Sequence, residues 1–180
     1  MNRTEIRLAG IGGQGILLAG HILAKAMAIY EEREVVQTAS YGSEARGGGC
    51  KSDIIVSDEN IDYPEISKAD IMILMSQQAF DKYVNQLKSD GILIIDSTFV
   101  KKTGDRKKIY IVPATQIASF EFNRSMVANM IMLGALVNAT GIVSKDAVKA
   151  SLKESVPKGT EELNLKAFER GMQITDTQKC

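Results

Sequence analysis

Apolar and polar positions alternate along this chain with two different periods, and the switches between them outline a fold. Ile6 to Ala9 is a short apolar run that leads straight into glycines, and from Ile16 to Tyr30 the apolar residues recur at helical spacing, at Ile16, Leu23, Met27 and Tyr30. The pattern predicts strand, turn, helix. "EVVQTA" reads as a second strand and "CKSDIIVS" as a third, with Ser52, Ile54 and Val56 on one face. "ADIMILMS" and "GILIIDS" are near-continuous apolar runs of the kind buried on both faces, with the helical "QQAFDKYVNQLK" between them. "KKIYIVPA" supplies a further strand. "SMVANMIMLGALVNA" supplies a further helix, closed by Gly141, and its methionines fit core filling better than a cofactor site. The tail from about residue 143 reads as two amphipathic helices broken at Pro157 and Gly159.

Strands alternating with helices argue for an α/β protein: a Rossmann-like, doubly wound, mostly parallel sheet with helices on both faces. The chain has 180 residues, 44% of them hydrophobic, with no internal repeat and no linker long enough to divide it, so one domain is expected. Lysine plus arginine and aspartate plus glutamate both total 22, so no overall charge favours nucleic acid or an acidic membrane. The start "MNRTE" is polar and no apolar run approaches the roughly 20 residues that cross a bilayer, so neither a signal peptide nor a membrane span is read, and a cytoplasmic protein is expected. Cys50 and Cys180 are the two cysteines, too few for the four thiolates of an iron–sulfur cluster.

The chemistry concentrates in two glycine-rich stretches. "RLAGIGGQGILLAG" contains Gly10-x-Gly12-x-x-Gly15 between a predicted strand and helix, where glycines permit a tight turn and close approach of a phosphate to a helix start. Glycines serving only a tight turn are the plainer alternative. A dinucleotide site would place an acid at the carboxyl end of the second strand, but "QTAS" offers Thr38 and Ser40, and Glu31, Glu32 and Glu34 belong to the strand's other end. No Gly-Lys-Ser/Thr comes after the glycines, which excludes a P-loop. The second strand instead leads into "SYGSEARGGG". Parallel strands share a carboxyl edge, so this loop and the first glycine turn should open onto one crevice, where Arg46 can pair with a phosphate or carboxylate, Glu44 can orient it and Tyr41 adds a flat face. A mobile loop with a solvated Glu44–Arg46 pair is the alternative. His21 reads as a helix-face residue, Cys50 as an ordinary strand residue, and Asp96 as a cap for the residues after "GILIID".

Together "GIGGQGILLAGHILAKA", "QTASYGSEARGGGCKSDIIVS", "IDYPEI" and "ADIMILMSQQAFDKY" resemble the gamma subunit of 2-oxoacid:ferredoxin oxidoreductases, with the likeness nearest the 2-oxoglutarate branch. The resemblance covers most of the chain and makes residues 1–180 a single gamma-type domain. It implies a subunit of a complex that decarboxylates a 2-oxoacid oxidatively, traps the acyl group on coenzyme A and reduces ferredoxin. Thiamine diphosphate and iron–sulfur clusters would sit on partners: catalytic alpha and beta subunits and a ferredoxin-like delta subunit. Carried onto this sequence, the resemblance assigns coenzyme A contacts to Gly10, Gly12, Gly13, Gln14 and Gly15, to Ser40, Tyr41, Glu44, Arg46, Gly47 and Gly48 in the facing loop, and to Asn129 in the later helix. A buried asparagine that ties down backbone is an equal reading of Asn129. A scaffold without ligand and a stand-alone nucleotide-binding oxidoreductase are the other functional readings. In isolation the chain is expected to form a homodimer through its partner-binding surface.

Overall fold

The computed structural model describes residues 3–41, 48–101 and 108–176. Six strands form one sheet in the order β2-β3-β1-β4-β5-β6: β1 (Thr4–Ile11), β2 (Glu34–Tyr41), β3 (Gly49–Ser57), β4 (Ala69–Leu74), β5 (Leu87–Asp96) and β6 (Ile109–Val112). The helices are α1 (Ile16–Lys25), α2 (Gln77–Tyr83), α3 (Ala114–Phe122), α4 (Ala128–Thr140), α5 (Lys145–Ser155) and α6 (Glu161–Asp176). The α/β class and the mostly parallel sheet agree with the pattern. Helix α1 continues into a π-helical turn over Ala26–Tyr30, so the predicted span Ile16–Tyr30 is helical throughout but changes pitch. Helix α3 had no counterpart in the pattern.

Strand β3 departs from the parallel expectation. β1 pairs in parallel with β4, β4 with β5 and β5 with β6, but β3 is antiparallel to both β1 and β2. The cause is the connection: a parallel crossover takes about a dozen residues or more, and only residues 42–48 separate β2 from β3. A hairpin is what that length permits. Strand β2 nevertheless points the same way as β1, with β3 between them, because α1 carries the chain across one strand position.

The sheet's two faces are covered unequally. Ile6, Leu8, Ile54, Val56, Ile71, Ile73 and Ile94 point to one side, where buried residues of α1, α3, α4, α5 and α6 join them in the larger core. Ala9, Met72, Leu74, Leu93 and Ile95 point to the other, against Ala79 and Phe80 of α2. Strands β4 and β5 are buried on both faces, which explains their unbroken apolar runs. Helix α4 is buried continuously from Ala128 to Val137, with Met130 and Met132 in the core.

Helices α4 and α6 touch backbone to backbone. A methyl group at Gly134 would lie 2.0 Å from the Phe168 carbonyl oxygen, and one at Gly171 would lie 1.9 Å from that of Ile131. Each glycine is the hole into which the other helix fits. Gly171→Ala is therefore expected to force the helices apart, at about 3 kcal/mol for overpacking against an unyielding backbone. Thermal unfolding should show a Tm lower by roughly 6–12 °C; an unchanged Tm would show that the helices part freely.

On the opposite face, Arg7 and Asp53 sit side by side on β1 and β3 and are 2% and 4% exposed. The Arg7 guanidinium donates to both Asp53 oxygens at 2.6 and 2.8 Å and to Gln86, and lies 5.1 Å from the Tyr83 ring centre. Lys51 Nζ adds a contact of 2.7 Å to Asp53. Burial by itself would raise the Asp53 carboxyl, but the hydrogen bonds from Arg7 and Lys51 outweigh it and hold the group below its ordinary value. The folded state thus favours the carboxylate. Its contribution is complete above the ordinary aspartate range and is lost as pH falls through the lower folded value. Asp53→Asn, which strands a buried guanidinium, is expected to cost about 3–5 kcal/mol at neutral pH. Its stability curve should also lose part of the wild type's fall below about pH 4, as urea titrations across pH would show.

Candidate functional site

The turn after β1 is held rigid from inside. Gln14 folds back beneath it: Oε1 accepts from the Ile11 backbone N–H at 2.9 Å, and Nε2 donates to the Met75 carbonyl at 2.8 Å, at the end of β4. Gly10 leaves room for that side chain, since a Cβ there would lie 2.4 Å from Gln14 Oε1. Gly15, the residue that starts α1, has φ +70°, and any side chain on it would meet Asn129 Nδ2 at 2.3 Å. Asn129, 3% exposed at the start of α4, donates from Nδ2 to the Gly15 carbonyl at 3.1 Å and accepts the Met130 N–H at 2.9 Å. The tied-down asparagine is thus realised. Two amides fasten the glycine turn to β4 and α4.

The described ends of the second glycine stretch, Ser40 and Tyr41 on β2 and Gly48 and Gly49 before and in β3, lie at the sheet edge where β1 ends, because β1 and β2 run the same way. Ile11 is level with Gly49 and Tyr41 with Cys50, so both loops leave the same edge of the sheet. They touch, as the Gly12 N–H donates to the Gly48 carbonyl at 3.0 Å. Ser40 and Tyr41 are exposed at the end of β2, and Glu34 is at its far end, away from the glycine turn. Glu44, Arg46 and Gly47 lie outside the described residues.

On the other side of the turn is a cavity of about 470 Å³. Gly13, Gly15 and Leu18 form one wall, Arg124, Met126, Val127 and Asn129 a second, and Pro157, Gly159, Thr160, Leu163 and Asn164 a third. Three helices begin beside it, α1 after Gly15, α4 at Ala128 and α6 after Thr160, and a helix start carries the positive end of the helix dipole. Thr160 shapes the third wall by donating from Oγ1 to the Pro157 carbonyl at 2.7 Å and accepting from Asn164 Nδ2 at 2.9 Å through its own carbonyl. No aspartate or glutamate lines the cavity among the described residues. The arrangement suits an anionic group on an apolar arm.

Of the sequence-derived residues, the structure brings Gly13, Gly15 and Asn129 onto this cavity, sets Gly12 against Gly48, and turns Gln14 inward over Gly10. Ser40 and Tyr41 are not among the lining residues. Arg124, Leu18, Thr160 and Leu163 escaped sequence reasoning. "FNRS" and "VPKGT" do read as breaks between helices, but no local signal tells which sheet edge such breaks return to.

The other titratable residues have different settings. His21 is exposed and lines a separate groove with Lys25 and Gln37. Cys50 is buried, and burial pushes its thiol pKa up, away from the reactive thiolate. Asp96 caps the end of β5: Oδ1 accepts the Thr98 N–H at 3.0 Å, and Oδ2 accepts the Thr115 N–H at 3.1 Å and its hydroxyl at 2.6 Å. Among the described residues no three His, Cys, Asp or Glu gather as a metal site, and no helix is long and apolar enough to cross a membrane.

Residues 5–174 match the pyruvate ferredoxin/flavodoxin oxidoreductase family, and the chain belongs to it. Within that class the likeness is to the small, gamma-type subunit, a component of an oxidoreductase complex. The 2-oxoglutarate synthase subunit KorC of Methanocaldococcus jannaschii is 50% identical over 175 residues, spanning 96% of this chain and 94% of the relative. The solved gamma subunit of a keto/oxoacid ferredoxin oxidoreductase from Geobacter sulfurreducens is 39% identical, with a TM-score of 0.89 and 98% of each chain covered. The 2-oxoglutarate:ferredoxin oxidoreductase of Magnetococcus marinus, solved with 2-oxoglutarate, coenzyme A and succinyl-CoA bound, shares the fold at 23% identity and a TM-score of 0.86. That likeness takes in 98% of this chain but 32% of the longer one.

Asn129→Leu keeps the volume but removes the donor to Gly15. It is expected to lower stability by about 1–3 kcal/mol, the cost of unpairing buried backbone groups, measurable by urea unfolding; a cost near zero would mean that water or another donor replaces the amide.

Proposed function

We propose that this chain is the gamma subunit of the 2-oxoglutarate branch of the family and forms one wall of its coenzyme A site. The reaction removes carbon dioxide from 2-oxoglutarate, joins the remaining acyl carbon to the coenzyme thiol, and passes two electrons to ferredoxin. The cavity at the glycine turn carries the proposal: no acid among the described residues lines it, Leu18, Met126, Val127 and Leu163 give it apolar surface, and three helices start beside it, which matches a phosphate-bearing pantetheine arm. Identity to the KorC relative supports the 2-oxoglutarate branch.

In this proposal thiamine diphosphate and the iron–sulfur clusters belong to the alpha, beta and delta partners, a division that the two cysteines of the whole chain support. The chain acts in the cytoplasm, and alone it pairs as a homodimer and turns nothing over. A scaffold role has one specific observation in its favour: Gln14 and the Gly12 N–H, both assigned to ligand by resemblance, are already satisfied within the chain.

Leu163→Trp separates the two readings, because it fills the cavity from α6 without touching the glycine turn's hydrogen bonds. In complex reconstituted with catalytic partners, the variant should assemble normally while the KM for coenzyme A rises by about tenfold or more, the loss of one well-placed contact region. Normal assembly with an unchanged coenzyme KM would leave the scaffold reading in place.

A further inference from the structure

We infer that Arg124 is the cation that binds a phosphate of the coenzyme, a role that resemblance had pointed toward Arg46. This rests on the cavity being the coenzyme site. Arg124 comes directly after Asn123, whose left-handed backbone (φ 50°) ends α3, and it projects from the short connection to α4. Its backbone N–H is anchored on the Ala118 carbonyl at 3.1 Å, so the residue's position is set by main chain. Its side chain is exposed, lines the cavity and has no ion pair or side-chain hydrogen bond among the described residues.

Several other arginines show what an engaged guanidinium looks like in this protein: Arg7 grips Asp53, Arg3 contacts Glu5, and Arg170 grips Glu121. No carboxylate stands among the described residues that line the cavity with Arg124. A guanidinium beside an acid-free, partly apolar cavity is suited to a bidentate bond to a phosphate carried on an apolar arm. Leu18 and Leu163 offer the apolar surface for that arm, and Met126, 75% exposed, stands at the rim.

The test uses the reconstituted complex. Arg124→Ala should raise the KM for coenzyme A about tenfold with kcat changed less than about twofold, since a charge-assisted hydrogen bond to a bound group is lost. Arg124→Lys should recover part of the loss. Calorimetric titration of coenzyme A into the complex without 2-oxoacid should show the same weakening, with a smaller dependence on salt in Arg124→Ala. A penalty that vanishes with 3′-dephospho-coenzyme A assigns the arginine to the 3′-phosphate, and one that persists assigns it to the diphosphate. Unchanged coenzyme affinity in Arg124→Ala, while Leu163→Trp weakens binding, would overturn this inference alone. Unchanged affinity in both would overturn the cavity reading with it. Loss of assembly in Arg124→Ala would overturn the inference in favour of a partner carboxylate.

Discussion

Two side-chain amides hold the glycine turn and one wall of the cavity beside it in place. Gln14 ties the glycine turn to the end of β4, and Asn129 ties the Gly15 carbonyl, where α1 begins, to the start of α4. Each needs a glycine beside it, because a Cβ at Gly10 or Gly15 would occupy the space of the amide. The glycine fingerprint is thus explained twice. It permits backbone approach from outside, and it makes room for the braces that keep the turn in place from inside. A turn fixed in this way keeps one wall of the cavity rigid, and under the proposed function that rigidity lowers the ordering cost of binding a flexible arm.

The remaining walls depend on the α4–α6 contact. Gly134 and Gly171 let the helices meet at backbone distance, and this brings the start of α6, with Thr160 and Leu163, to the mouth opposite the glycine turn. Residues from about 143 onward, which look like an appendage in the sequence, therefore complete the site. No carboxylate is among the described lining residues, in a chain whose acids and bases balance overall.

Much of this was legible beforehand. Apolar patterning located α1, α2, α4, α5, α6 and all six strands, either as a stripe or face or, for β4, β5 and α4, as a nearly continuous apolar run. Helix α3 was missed, since Ala114 and Ala118 are its fully buried apolar positions and Phe120 points outward, which erases the stripe. The carboxyl ends of β1 and β2 share one sheet edge because the two strands run the same way, although the strand between them, β3, is antiparallel to both. Glu34 stands at the end of β2 opposite the glycine turn, as its place before "QTAS" in the sequence implies.

The amino-acid sequence by itself determined the α/β class, the turn with its obligatory glycines, the family, and the absence of enough thiolates for a cluster. Those properties are written in residue type and short-range spacing, which act before the chain folds. The direction of β3, the inward turn of Gln14, and the meeting of Arg124 with Gly13 and Leu163 were decided only in three dimensions. Residues more than a hundred positions apart in sequence, such as Gly15 and Asn129, become neighbours through helix packing on the sheet. No periodicity records that packing, because it depends on which backbone surfaces can approach most closely.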